Sequence, residues 1–204
     1  CSLSVFTQVQ NSLQPHQKRV QSIVEFNDSF FTVGDDGFVI KWLPDGTGEH
    51  FQISDLEIKL IAISPNGTDI AVYETDGFSI HRVSEWNWKT LTRKNAKRFT
   101  DSIVSLEYSA KGTYLMAGTS SVDGMLFLDP KNKLTPLSVV KDFTGTVTVA
   151  KTGKTEKTVL MYSPQGTLTY YNLADGSKVQ EFDCETLLEQ ATLLYNNVYL
   201  VGTK

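Results

Sequence analysis

The sequence predicts an all-β fold made from one repeated four-stranded antiparallel unit, and three observations carry that prediction. Short runs rich in Val, Ile, Thr, Tyr and Phe recur between turn clusters such as "SPNGT", "SAKGT", "DDG" and "ADGS", while stretches of helical periodicity are scarce. The order strand, turn, strand, glycine turn, strand recurs in "IVEFNDSFFTVGDDGFVIKW", "IAISPNGTDIAVYETDGFSIHRV", "LEYSAKGTYLMAGTSSVDGMLFLD" and "VAKTGKTEKTVLMYSPQGTLTYYNL". Their glycine turns fall at Asp36-Gly37, Asp76-Gly77, Asp123-Gly124 and Gln165-Gly166, spaced 40, 47 and 42 residues apart.

A fourth strand follows in each unit: "GEHFQI", "WKTLTR", "LTPLSV" and "KVQEF". Four strands per repeat of about 40 to 45 residues is the signature of a β-propeller blade. The predicted blades cover about residues 20–53, 58–93, 103–139 and 145–183. The ends fit the same phase. "SLSVFTQV" and "NSLQPH", within residues 1–16, read as the third and fourth strands of a blade, and "ATLLYNNVYLVGTK", within 187–204, as its first and second. That split blade brings the total to about five blade equivalents in a single domain spanning 1–204. Such a chain either closes on itself or forms part of a larger propeller; closure removes exposed sheet edges.

At this point the chain resembles the WD40-repeat family over nearly its whole length. "SPNGTDIAV" and "SAKGTYLMAG" are similar to the family's turn between its first two strands, and "FFTVGDDGFVIKW" to its second strand, tight turn and tryptophan-ending third strand. The resemblance implies a buried hydrogen-bonded chain of histidine, hydroxyl, aspartate and tryptophan, at His16, Thr32, Asp36 and Trp42. The residue types suit it: Trp only donates, a hydroxyl donates and accepts, imidazole relays and a carboxylate accepts. These four are read as structural, with Gly37 a turn residue and Asp35 the exposed member at the loop tip. In the other units Arg82, Asp129 and Tyr171 stand at the place of Trp42, and no histidine matches His16.

The chain has 204 residues, 40% hydrophobic and 21% charged, enough to bury a core. Its net charge of −4 argues against a general electrostatic grip on nucleic acid or anionic lipid. No apolar run approaches the roughly 18–20 residues of a spanning helix. Cys1 and Cys184 form no C-x-x-C pair, so they are expected to be free thiols in a cytoplasmic or nuclear protein; the alternative is a lipid anchor on Cys1.

No catalytic residue, metal site or cofactor is expected. Asp35 and Asp36 lack the spacing of a calcium loop, His50 and His81 lack a metal-partner spacing, and the inner strands "IVEF", "LIAIS", "VSLEYS" and "TVTVA" offer only Glu25 and Glu107. Asn27 and Asn66 begin N-x-S/T triplets, which matter only in a secreted chain. The resemblance instead implies a non-catalytic scaffold or adaptor that presents propeller loops to other proteins, within a multi-protein complex. Candidate partner-binding loop residues are Lys18, Arg19, Asp55, Glu57, Lys94, Lys97, Arg98 and Asp142. The run "RKNAKR", Arg93 to Arg98, reads as a basic loop between blades that suits an acidic peptide, phosphate or nucleic-acid backbone. "EWNWK" places Trp86 and Trp88 on one side of a strand end, where they either anchor a partner or pack against the neighbouring blade. The rivals are a propeller enzyme with a central metal site and a nucleic-acid binder using residues 93–98.

Overall fold

The computed structural model describes residues 10–12, 16–120, 124–141, 147, 149–163, 166–183, 188–194 and 198–203. Among them every regular element is a β-strand. The chain forms two compact units, Cys1–Ile63 with Gly67–Arg98, and Ser64–Asn66 with Phe99–Lys204.

In the first unit, β2 (Val20–Phe26), β3 (Ser29–Gly34), β4 (Phe38–Trp42) and β5 (Gly48–Gln52) make an antiparallel meander, with β1 (Gln10–Ser12) added outside β5. A second sheet runs β6 (Glu57–Ile63), β7 (Asp69–Thr75), β8 (His81–Asn87) and β9 (Thr92–Phe99). Register decides which residues become core. Val33 lies opposite Val39 and Val39 opposite Phe51, so these side chains share a face with Phe31. That face packs on Ile58, Ile61, Ile70 and Val72 of the second sheet. Each such side chain taken from water contributes roughly 1.5–3 kcal/mol. The other face of the first sheet carries the cross-strand pairs Thr32 with Ile40 and Phe30 with Trp42.

The second unit contains two further four-stranded meanders. One is β10 (Ile103–Tyr108), β11 (Leu115–Thr119), β12 (Met125–Asp129) and β13 (Thr135–Val140). The next is β14 (Val149–Thr152), β15 (Thr158–Tyr162), β16 (Thr167–Asn172) and β17 (Lys178–Asp183). Met116, Met125, Phe127, Val159, Met161 and Tyr171 form their common core. β18 (Leu188–Leu194) and β19 (Val198–Thr203) pair as a two-stranded sheet.

Gln10, Asn11 and Ser12 lie opposite His50, Glu49 and Gly48, so β1 extends the first sheet to five strands. Residues 1–9, 13–15, 187, 195–197 and 204 of the expected split blade lie outside the described residues. One expectation needs correction: the second blade runs six residues past its expected end at 93, because "RKNAKR" is not a loop but most of β9. Residues 88–91 make the turn instead. Asn87 Oδ1 accepts from the Lys89 and Thr90 N–H groups at 3.0 and 2.9 Å, and Leu91 takes φ 54°.

Candidate functional site

The segment before β2 carries His16 against the β3–β4 turn. The imidazole Nδ1 lies 2.9 and 3.1 Å from the two carboxylate oxygens of Asp36, and Nε2 lies 2.8 Å from Thr32 Oγ1. Trp42 Nε1 donates to the same hydroxyl at 2.8 Å. The four side chains thus form one chain from turn to third strand. Asp36 also accepts from the Gln17 and Phe38 N–H groups at 2.9 and 3.3 Å. Burial would raise the Asp36 carboxyl, but hydrogen bonds from His16, Gln17 and Phe38 outweigh it and hold the group below its usual range. The His16 and Asp36 side chains are 1% and 7% exposed, the burial expected of a structural pair.

The second sheet solves the same packing problem with other residues. Thr75 opposite His81 and Val33 opposite Val39 each close a five-residue turn, so counting from these pairs Glu74 stands where Thr32 does and Ser84 where Trp42 does. Ser84, not Arg82, therefore occupies the tryptophan's place. Glu74, fully buried, accepts from Ser54 Oγ at 2.6 Å and from Arg82 and Ser84. Trp86 Nε1 donates onward to Ser84 Oγ at 2.8 Å. A buried carboxylate with three donors replaces the histidine-centred chain; only its full set of partners makes such burial tolerable. In the fourth sheet, Val159 opposite Tyr171 keeps Tyr171 at the tryptophan's position.

The candidate binding residues disperse. Lys18 and Arg19 are exposed in the segment before β2, and Asp55 is exposed just before β6. Glu57 instead pairs with Lys59 at 2.8 Å. Asp35 is not an exposed loop tip: Lys59 Nζ reaches it at 2.7 Å and Gln21 Nε2 at 2.8 Å. Burial would raise the Asp35 carboxyl, but Lys59 and Gln21 lower it further. Trp88 packs edge-on against Phe31 at 5.0 Å and Phe51 at 4.2 Å, which is the neighbouring-sheet alternative for this residue. On β9, Arg93 lies 5.9 Å over the Trp86 ring, Lys94 pairs with Asp69 at 2.8 Å, and Lys97 and Arg98 follow within the same strand. Asp142, Cys1 and Cys184 lie outside the described residues.

Two surface features were not among the sequence-based candidates. A cleft of 480 Å³ in the first unit has Phe31, Phe51 and Trp88 in its lining, with Asn27, Lys41, Glu49 and Lys89. Phe78, in the β7–β8 turn, is 90% exposed. Asp76 Oδ1 accepts from the backbone N–H groups of Phe78, Ser79 and Ile80 at 2.9, 2.8 and 2.8 Å. Those bonds, led by Ile80 and Phe78, hold the carboxyl well below its usual range and fix the turn that carries the ring. The text "DGF" occurs at both Asp36 and Asp76, yet strand β4 starts at Phe38, whereas β8 starts three residues after Phe78. Asp76 captures the intervening N–H groups, and that difference was not visible in the letters. Among the described residues no three His, Cys, Asp or Glu side chains converge to hold a metal ion, and no helix is long and apolar enough to cross a membrane.

Hairpin-connected, four-stranded antiparallel sheets repeated along one chain define a β-propeller protein. Residues 4–204 match a family model described as an N-terminal beta-propeller domain, and the chain belongs to that family. It is also 38% identical over 175 residues to a protein of Treponema pallidum (strain Nichols) that bears the name "Uncharacterized protein". The match covers 85% of this chain and 28% of the relative's length.

Proposed function

We propose that the chain is a non-catalytic interaction module that presents blade turns to partner proteins, with its first sheet built as a WD40-like repeat. The chain of hydrogen bonds from His16 to Trp42 supports the WD40-like reading. Phe78 carries the interaction reading. A phenylalanine left 90% in water forgoes the stabilisation of burial, and its turn is already ordered by Asp76, so docking it costs little further conformational entropy. An aromatic ring presented in this way has the properties of an interface anchor. The complementary surface on the partner is an apolar pocket that takes one ring.

The test is affinity capture with mass spectrometry, with a photo-crosslinking residue at position 78 and the same residue at Leu137 as control, since Leu137 is also an exposed apolar side chain at 54%. Specific crosslinks at 78, and a drop in capture of about tenfold or more with Phe78→Ser at unchanged thermal stability, are expected. Equal capture by wild type and Phe78→Ser contradicts the assignment. Stoichiometric calcium or zinc that survives dialysis and supports turnover contradicts the non-catalytic reading.

A further inference from the structure

The face of the first sheet that packs on the second carries two ionisable side chains where the strand pattern calls for core. Alternation puts Lys41 on the side of Val39 and Glu49 on the side of Phe51, and register aligns Phe31, Lys41 and Glu49 in one row across β3, β4 and β5. Charges on a core-facing side are costly unless water or a partner meets them. Here the 480 Å³ cleft does so: Lys41 and Glu49 both line it, together with Lys89. Lys41 Nζ and Glu49 Oε2 are 3.8 Å apart, beyond hydrogen-bond distance, whereas Lys59 closes on Asp35 at 2.7 Å and Lys94 on Asp69 at 2.8 Å. A cation and an anion thus stand side by side in the cleft without closing on each other. The wall beside them is aromatic. Trp88 meets Phe31 and Phe51 edge-on, at interplanar angles of 72° and 67°, and all three rings line the cleft. Phe26 forms another side, lying so near Gly67 that a β-carbon there would come within 2.5 Å of its ring. The turn that carries Trp88 and Lys89 holds Leu91 at φ 54°, a left-handed conformation uncommon for leucine.

We propose that this cleft binds a small zwitterion with an aromatic body, the chemistry of a free aromatic amino acid. The ligand ring extends the edge-on arrangement against Trp88, its carboxylate meets Lys41 and Lys89, and its ammonium meets Glu49. The volume suits such an occupant, since small-ligand pockets span about 300–1,000 Å³. A zwitterion matches both charges at once. A purely apolar ligand would cover them without replacing their water, and a simple anion would face the Glu49 carboxylate. The site lies wholly within the first unit and does not depend on Phe78.

L-Phenylalanine is titrated against the 204-residue chain by calorimetry and by protein tryptophan fluorescence. Saturable one-to-one binding is expected, with a fluorescence change that disappears in Trp88→Phe, which keeps an aromatic wall and removes the reporter. N-acetyl-L-phenylalanine lacks the ammonium, L-phenylalaninamide lacks the carboxylate and L-leucine lacks the ring. Each is expected to bind about tenfold more weakly or worse. Glu49→Gln is expected to abolish the preference for the free amino acid over its acetylated form while circular dichroism is unchanged. The ligand series leaves the protein untouched, so its result stands even where a variant misfolds. No saturable binding of L-phenylalanine, equal binding of any of the three comparison compounds, a preference retained in folded Glu49→Gln, or a fluorescence change that persists in Trp88→Phe overturns the proposal.

Discussion

Asp36 gathers three separate donors, His16, Gln17 N–H and Phe38 N–H, and so ties the segment before β2 to the turn after β3. Replacing it with alanine leaves an imidazole and two backbone N–H groups without their acceptor, the imidazole in a position only 1% exposed to water. Asp36→Ala is expected to lower unfolding free energy by roughly 1–3 kcal/mol, read as a shift in the urea midpoint. An unchanged midpoint would mean that the contact contributes nothing net. This chain was legible in the letters because each of its four residue types has a restricted donor and acceptor capacity. Glu74 was not legible. A glutamate and a serine within alternating strands, and a serine in the β5–β6 connection, look like solvent-facing positions until the fold brings Ser54, Arg82 and Ser84 onto one carboxylate.

At the level of elements, the glycine turns that mark the repeat have unequal jobs. A β-carbon on Gly37 would lie 2.0 Å from the Ser54 carbonyl oxygen, whereas one on Gly77 would meet nothing within 4 Å. Both take positive φ, 76° and 82°. Gly77→Ala should therefore cost only the left-handed strain, about 1–2 kcal/mol, while Gly37→Ala adds a backbone collision and should cost clearly more. Chemical denaturation of both variants checks this, and equal losses would refute the packing role of Gly37. Repeat, strand order and turn positions were readable because hydrophobic alternation and glycine turns are local signals. Pairing partners were not. "QNS" in β1 has no apolar side to set its register, and "RKNAKR" has the composition of a loop because the side chains of β9 are exposed or half-buried, none of them buried. Charge therefore hid a strand that backbone pairing had fixed.

For the whole molecule, ionisable groups set a pH window for stability. Hydrogen bonds and nearby cations outweigh burial to hold Asp35 and Asp36 below the usual carboxylate range, and hydrogen bonds from Ser109, Thr113 and Lys111 do the same for Glu156. A group with a depressed folded pKa stabilises above its unfolded value, near 4, and that contribution disappears as pH falls through the folded value. The alkaline side has the opposite sign. Burial works against the Lys59 charge, but Asp35 and Glu57 raise its pKa overall, and burial pushes Tyr170 up to about 12. Their contributions hold below about pH 10 and disappear as pH rises through the folded values. Urea midpoints measured across pH should thus be flat between about pH 5 and 9 and fall on both sides. Asp36→Asn, which cannot titrate there, should flatten the acid limb while leaving the alkaline limb as in the wild type. Stability that instead rises from pH 5 to pH 3, or an acid limb identical in Asp36→Asn, would show that these carboxylates do not set the window.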